Sequence, residues 1–141
     1  MSSRLLNIAL SQYGIREVPG KEDNPEIMGY FKEIGQDWVQ GDETAWCSAF
    51  INWCVKKKGF EYSGKLNARS WLNLGMTCSF NVADIVVLWR ESPDSWKGHV
   101  GIPIREDDKY IWVLGGNQSN MVRISAYPKE RLLKYIKLNS A

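Results

Sequence analysis

Two hydrophobic periods divide the chain. Apolar residues recur at helical spacing up to about Leu74, and from Ile85 onward they run in short β-rich stretches. Leu6, Ala9, Leu10 and Tyr13, followed by Gly14, predict an amphipathic helix closed by a glycine. Residues 15–20 read as a turn. Asn24, Pro25 and Glu26 then supply a cap, a first-turn proline and an early acid ahead of Ile27, Tyr30, Phe31 and Ile34, which predicts a second helix. From Thr44 to Lys58 the apolar positions cover more than one stripe, so this central helix is expected to be buried on most sides of its N-terminal half. Lys56, Lys57, Lys58 and Gly59 end it, with cations at the negative end of the helix dipole and then a residue free to turn left-handed. A shorter helical patch covers Ala68 to Leu74.

Ile85–Trp89, His99–Ile104, Tyr110–Leu114 and Met121–Ile124 predict strands separated by turn residues. Asp107-Asp108 suits a hairpin turn, residues 91–98 form a loop leading into His99, and Pro103 implies an edge or bulged strand. Helices first and strands afterwards give an α+β fold, with N-terminal helices packed on a C-terminal antiparallel sheet. A chain of 141 residues is long enough for one core and short for two, so residues 1–141 are read as a single domain.

Composition removes several classes of function. A formal charge of +2, from 18 basic and 16 acidic residues, leaves no electrostatic footprint of the size nucleic-acid binding needs. No apolar run approaches a membrane span, and the first residues turn polar too early for a signal-peptide core. The expectation is a protein made in the cytoplasm without an export signal or membrane insertion. Three cysteines are an odd count at no metal-ligand spacing, which argues against a complete disulfide framework and against a zinc knot. The seven tryptophans serve either core packing, their commoner use, or a groove lined by indoles that would suit saccharide or peptide ligands.

Cys47 falls at the start of the central helix, behind the candidate cap residues Gly41 to Thr44. The positive end of a helix dipole favours a thiolate, a nearby imidazolium would lower the thiol pKa further, and the same backbone N–H groups suit an oxyanion. The alternative is a small buried hydrophobe, the usual role of a free cysteine. Cys54 lies inside the helix, away from its dipole end, and Cys54 and Cys78 are read as structural. His99 is the only histidine, so any Cys–His pair must include it; otherwise it is a surface or satisfied core residue. Asn117 at the end of the next strand is the preferred group to orient His99, with Gln118 as the alternative and the glycines at 115 and 116 permitting close approach. A plain Gly-Gly-Asn turn is the competing reading.

Taken in order, Glu17 to Gly20, Asn24-Pro25, Asp42 to Phe50, Ala68 to Leu72, Asp84 to Val87, Gly98 to Gly101 and Leu114 to Ser119 resemble a phage-associated, endolysin-like branch of the CHAP and NlpC/P60 peptidoglycan hydrolases, over nearly the whole chain. The resemblance implies a papain-like fold and the roles of nucleophile for Cys47, base for His99 and orienting residue for Asn117. It implies cleavage of an amide bond in bacterial peptidoglycan, either between muramic acid and L-alanine or within the stem peptide and its cross-links. Trp46, Trp71 and Trp96 become candidate groove walls, and Gln118 a substrate-binding candidate. Ala83-Asp84 stands where relatives often carry Gly-Asp, away from the proposed pair. No spaced acidic loop surrounds Cys47, so no metal and no cofactor is expected. A monomer is expected, acting on the cell wall after phage lysis, tail delivery or effector injection. Two other readings remain open: a Cys–His hydrolase or transferase on a non-murein peptide or thioester, and a non-catalytic wall-binding or phage structural protein on the same fold.

Overall fold

The computed structural model describes residues 3–17, 24–35 and 45–141. The expected cap residues Gly41 to Thr44 and the end of the turn at 18–20 lie outside them. Helix α1 spans Ser3–Leu10, α2 Pro25–Glu33 and α3 Ala45–Lys58. The strands are β1 (Met76–Thr77), β2 (Ile85–Trp89), β3 (Gly98–Glu106), β4 (Tyr110–Gln118), β5 (Met121–Pro128) and β6 (Leu132–Lys137). Among the described residues they form one sheet in the order β1-β6-β2-β3-β4-β5, with every pairing antiparallel. The helices pack on this sheet, which makes the fold a mixed helix and antiparallel-sheet architecture.

Local chemistry explains most of the boundaries. The Asn24 side chain accepts a hydrogen bond from the Glu26 N–H at 2.9 Å, with Pro25 in the first turn, so α2 begins where its sequence places it. Its buried face is Ile27, Tyr30 and Phe31. Helix α3 ends at three lysines, and the N–H groups of Gly59 (φ +89°) and Phe60 both donate to the Val55 carbonyl. The expected stripe of α1 needs correction. The α-helix ends at Leu10 and the next turn tightens to i→i−3 bonds from Gln12 and Tyr13, so Tyr13 leaves the face; Leu5 and Ala9 carry the burial while Leu10 and Tyr13 stay exposed. The patch at 68–74 is a 3-10 helix, Ala68–Asn73. Strand β6, which the local pattern did not single out, is held between β1 and β2 by pairing at long sequence separation.

Burial splits along the sheet. One core lies between helices and sheet and includes Trp46, Phe50 and Ile51 of α3 with Val87, Val100, Ile102 and Leu114. A smaller one, with Val86, Leu88, Ile111, Val113 and Tyr135, covers the opposite face. Successive strand residues alternate between the two, as the pleat requires. Pro103 is accommodated although β3 is an interior strand. Strand β2 pairs only with Gly98 to Gly101, and the β3–β4 ladder shifts register between Pro103 and Arg105, so the missing N–H falls at a bulge.

Buried polar groups in α3 are tied to the segment that precedes β1. The Asn52 amide donates to the carbonyls of Ser48 (3.0 Å) and Lys65 (3.1 Å), and its oxygen accepts from the Gly64 N–H (2.9 Å). The Ser48 hydroxyl donates to the Lys65 carbonyl at 2.7 Å and accepts from the Trp71 indole N–H at 3.0 Å. This network ties α3 to the 3-10 helix and to the segment before it.

Candidate active site

Cys47 lies in the first turn of α3, where the positive end of the helix dipole favours an anion. It is only 1% exposed, and burial outweighs that help. Its thiol pKa is pushed up to about 11 by desolvation, against the opposing effects of the Val100 N–H, the Arg90 charge and the N–H groups of Ser48 and Cys47. The sulfur therefore sits beside the residue that follows His99 in β3. The neutral thiol is the ground state here, which corrects the sequence expectation of a pre-formed thiolate.

His99, at the start of β3, is 6% exposed. Burial is the main cause that lowers its pKa, to about 4; Arg90 adds to the lowering, and the hydrogen bond to Gln118 opposes it. Its Nε2 lies 2.8 Å from Gln118 Oε1 and 3.3 Å from the Tyr127 hydroxyl, and its ring stacks on Tyr127 with centroids 5.1 Å apart. The Gln118 amide nitrogen donates to the carbonyls of Val113 (3.0 Å) and Arg123 (2.7 Å). Both amide hydrogens are thus committed, Oε1 can only accept, and the network assigns the imidazole proton to Nε2. In this neutral tautomer Nδ1 carries the basic lone pair.

Gln118 rather than Asn117 holds His99, because the strand contains one extra residue. In the β4–β5 ladder Gly115 pairs with Arg123 and Gln118 with Met121, so two residues of β4 oppose the single residue Val122. Asn117 occupies this bulge at φ +57°. Strict alternation would put position 117 on the face of Val113 and Gly115, and 118 on the helix face. The bulge inverts that parity and turns Gln118 toward His99. Ser119 and Asn120, both at positive φ, close the hairpin to β5. A methyl group on Gly115 would fall 2.6 Å from Gln118 Oε1 and 3.2 Å from His99 Nε2; one on Gly116 would fall 2.8 Å from Phe50 and Trp46 of α3. The paired glycines let the imidazole network approach one side of β4 and α3 the other.

A cleft of about 300 Å³ joins these groups; Cys47, His99, Asn117, Gln118 and Tyr127 all border it, together with Trp89, Arg90 and Arg131. The tryptophans expected as walls are elsewhere. Trp46 is fully buried, its indole N–H donating to Glu17 Oε1 at 2.6 Å, and Trp71 is fully buried on Ser48. Both have the packing role. Trp96 is 67% exposed in the loop before β3, beside Lys97, and does not border the cleft. The indole that does is Trp89. Its signal was its position at the end of β2, next to an arginine and opposite Gly98. Arg69 steadies the loop that leads into β3, donating to the carbonyls of Lys97 (2.9 Å), Pro93 (2.8 Å) and Ser92 (3.1 Å). Among the described residues no disulfide forms, and no three His, Cys, Asp or Glu side chains gather as a metal site. No helix among them is long and apolar enough to cross a membrane.

Fold and site together define a mixed helix and antiparallel-sheet protein with a buried cysteine and histidine on one cleft. Compared with family models, with curated proteins and with solved structures, the chain matches none.

Proposed function

We propose that the protein is a cysteine hydrolase of papain-like design that cleaves an amide bond of bacterial peptidoglycan. The observation that carries this reading is the single cleft shared by Cys47 at a helix N-terminus and His99, whose Nε2–H is held by a Gln118 amide itself locked to two carbonyls. Each part has a task. Nδ1 takes the thiol proton as sulfur attacks the carbonyl carbon, and the tetrahedral oxyanion forms at the positive end of α3. The imidazolium returns that proton to the leaving amine as the C–N bond breaks, leaving a thioester. Water, activated by His99, then releases the acid and restores the thiol. Because the ground state is a neutral pair, proton transfer belongs to the attack step and is not completed before substrate arrives. The murein substrate rests on the sequence resemblance, and with it the site of action at the cell wall.

Digestion of purified sacculi, with mass spectrometry of the new chain ends, tests the proposal. Wild-type protein should release soluble muropeptides with new amine and carboxyl ends. Cys47→Ala should lower the rate by about 1,000-fold or more while keeping the wild-type melting temperature within a few degrees. Undiminished release by Cys47→Ala would overturn the assignment. The buried, neutral state of both groups favours one competing reading, a wall-binding protein on the same architecture. Sedimentation with sacculi without any covalent product would support it.

A further inference from the structure

The cleft carries more positive charge than a thiol mechanism uses. Arg90 directly follows β2, and Arg131 ends the 3-10 helix that precedes β6. Both border the same cavity as Cys47 and His99, and among the described residues no aspartate or glutamate borders it. Three cations elsewhere are engaged on protein oxygens: Arg69 on three carbonyls, Lys97 on Glu91 at 2.7 Å, Lys129 on Glu106 at 3.2 Å. Neither Arg90 nor Arg131 has a carboxylate partner among the described residues. Arg131 lies over the Trp89 ring, its guanidinium carbon 5.4 Å from the centroid, and both residues border the cleft. Arg90 is close enough for its charge to act on Cys47, His99 and Tyr127.

Two guanidiniums on one cleft, with no carboxylate partner among the described residues, are a recognition element for an anion. A carboxylate matches their paired donors, and partial exclusion of water strengthens the match. The geometry points to Arg90 and Arg131 as specificity residues that bind a free carboxylate on the peptide next to the scissile amide, so the preferred substrate is an acidic peptide whose carboxyl groups are unmodified. This rests on the hydrolase reading for the identity of the scissile bond, but binding of the carboxylate does not require turnover.

The test uses a murein stem peptide with free carboxylates and the same peptide with those groups converted to carboxamides. Isothermal titration of the full-length Cys47→Ala protein should show the free form binding about 30-fold or more tightly. Adding Arg90→Gln or Arg131→Gln should cost the free form about 10-fold each and the carboxamide form less than about 2-fold. Equal affinity for the two peptides, equal losses for both in the arginine variants, or binding of neither would overturn the inference. The comparison of peptides on the unaltered arginines stands even if a variant folds poorly. A carboxylate preference in Cys47→Ala with no cleavage by wild type would remove the hydrolase reading and keep the arginine site. Equal cleavage of both peptides, with equal affinities, would do the reverse.

Discussion

Two buried amide networks of similar construction, one centred on Asn52 of α3 and one on Gln118 of β4, end in different places. Asn52 is fully buried, and both ends of its side chain finish on backbone groups of residues 48, 64 and 65. Gln118 is almost as buried and commits both amide hydrogens to carbonyls in the same way, but its oxygen ends on an imidazole that borders a cleft. Satisfying buried polar groups is a structural requirement common to both. What separates them is the terminus of the chain of hydrogen bonds. One closes on groups that never change protonation; the other fixes the tautomer of a group that can.

The contrast breaks most visibly at Asn52. Asn52→Leu removes an amide that accepts from the Gly64 N–H and donates to the Ser48 and Lys65 carbonyls, which should cost about 2–3 kcal/mol in urea unfolding. Its rate per folded molecule should stay within about 2-fold of wild type, since nothing in this network borders the cleft. A stability loss under about 1 kcal/mol would show that the network is not what anchors α3. The second test uses pH. His99 has a folded pKa of about 4 against an ordinary value of 6.5, so the unfolded chain binds a proton in that window that the folded chain refuses. Stability should therefore rise with pH between about 4 and 6.5 and fall on acidification, by up to about 3 kcal/mol from this group. His99→Gln should flatten that limb relative to wild type, and an unchanged slope would mean that the imidazole is not desolvated. Cys47, raised to about 11, contributes in the opposite window, losing stability only as pH climbs through about 9 to 11.

How far the sequence carried depended on whether a feature is local. The α2 cap, the α3 terminator and the period of β2 to β5 are written within a few residues, and the structure has them where the pattern put them. So is the pairing of Gly115-Gly116 with close backbone approach. Strand β6 was not legible, because Leu132 to Lys137 becomes a strand through its partners β1 and β2. The tryptophans misled for a related reason. An indole has one polar atom, and whether that atom meets Glu17, Ser48 or solvent is decided by which segments pack together. The thiolate expectation used the helix end and a neighbouring imidazolium, whereas the pKa is set first by burial of the sulfur. Arg90 and Arg131 lie 41 positions apart and share a cleft only because the sheet order sets β6 beside β2.

The parity shift at Asn117 is the point at which local reading and structure diverge most narrowly, and the sole histidine makes it measurable. If Gln118 alone fixes the ring, Gln118→Leu should convert the single Nε2–H tautomer into a mixture, seen in the two imidazole nitrogen signals of His99 by NMR. In activity it should lower kcat about 10–100-fold with KM little changed, because orientation is lost while the cleft remains. Asn117→Gly should do neither, since glycine adopts the same positive φ at little cost and the bulge survives. Asn117→Ala should keep the tautomer but lose about 1 kcal/mol of stability, the ordinary penalty for a side chain in left-handed backbone. A tautomer change in Asn117→Gly with Gln118→Leu silent would return the orienting role to Asn117 and make the bulge incidental. The backbone, in the arrangement described, acts at this position and the side chain at the next.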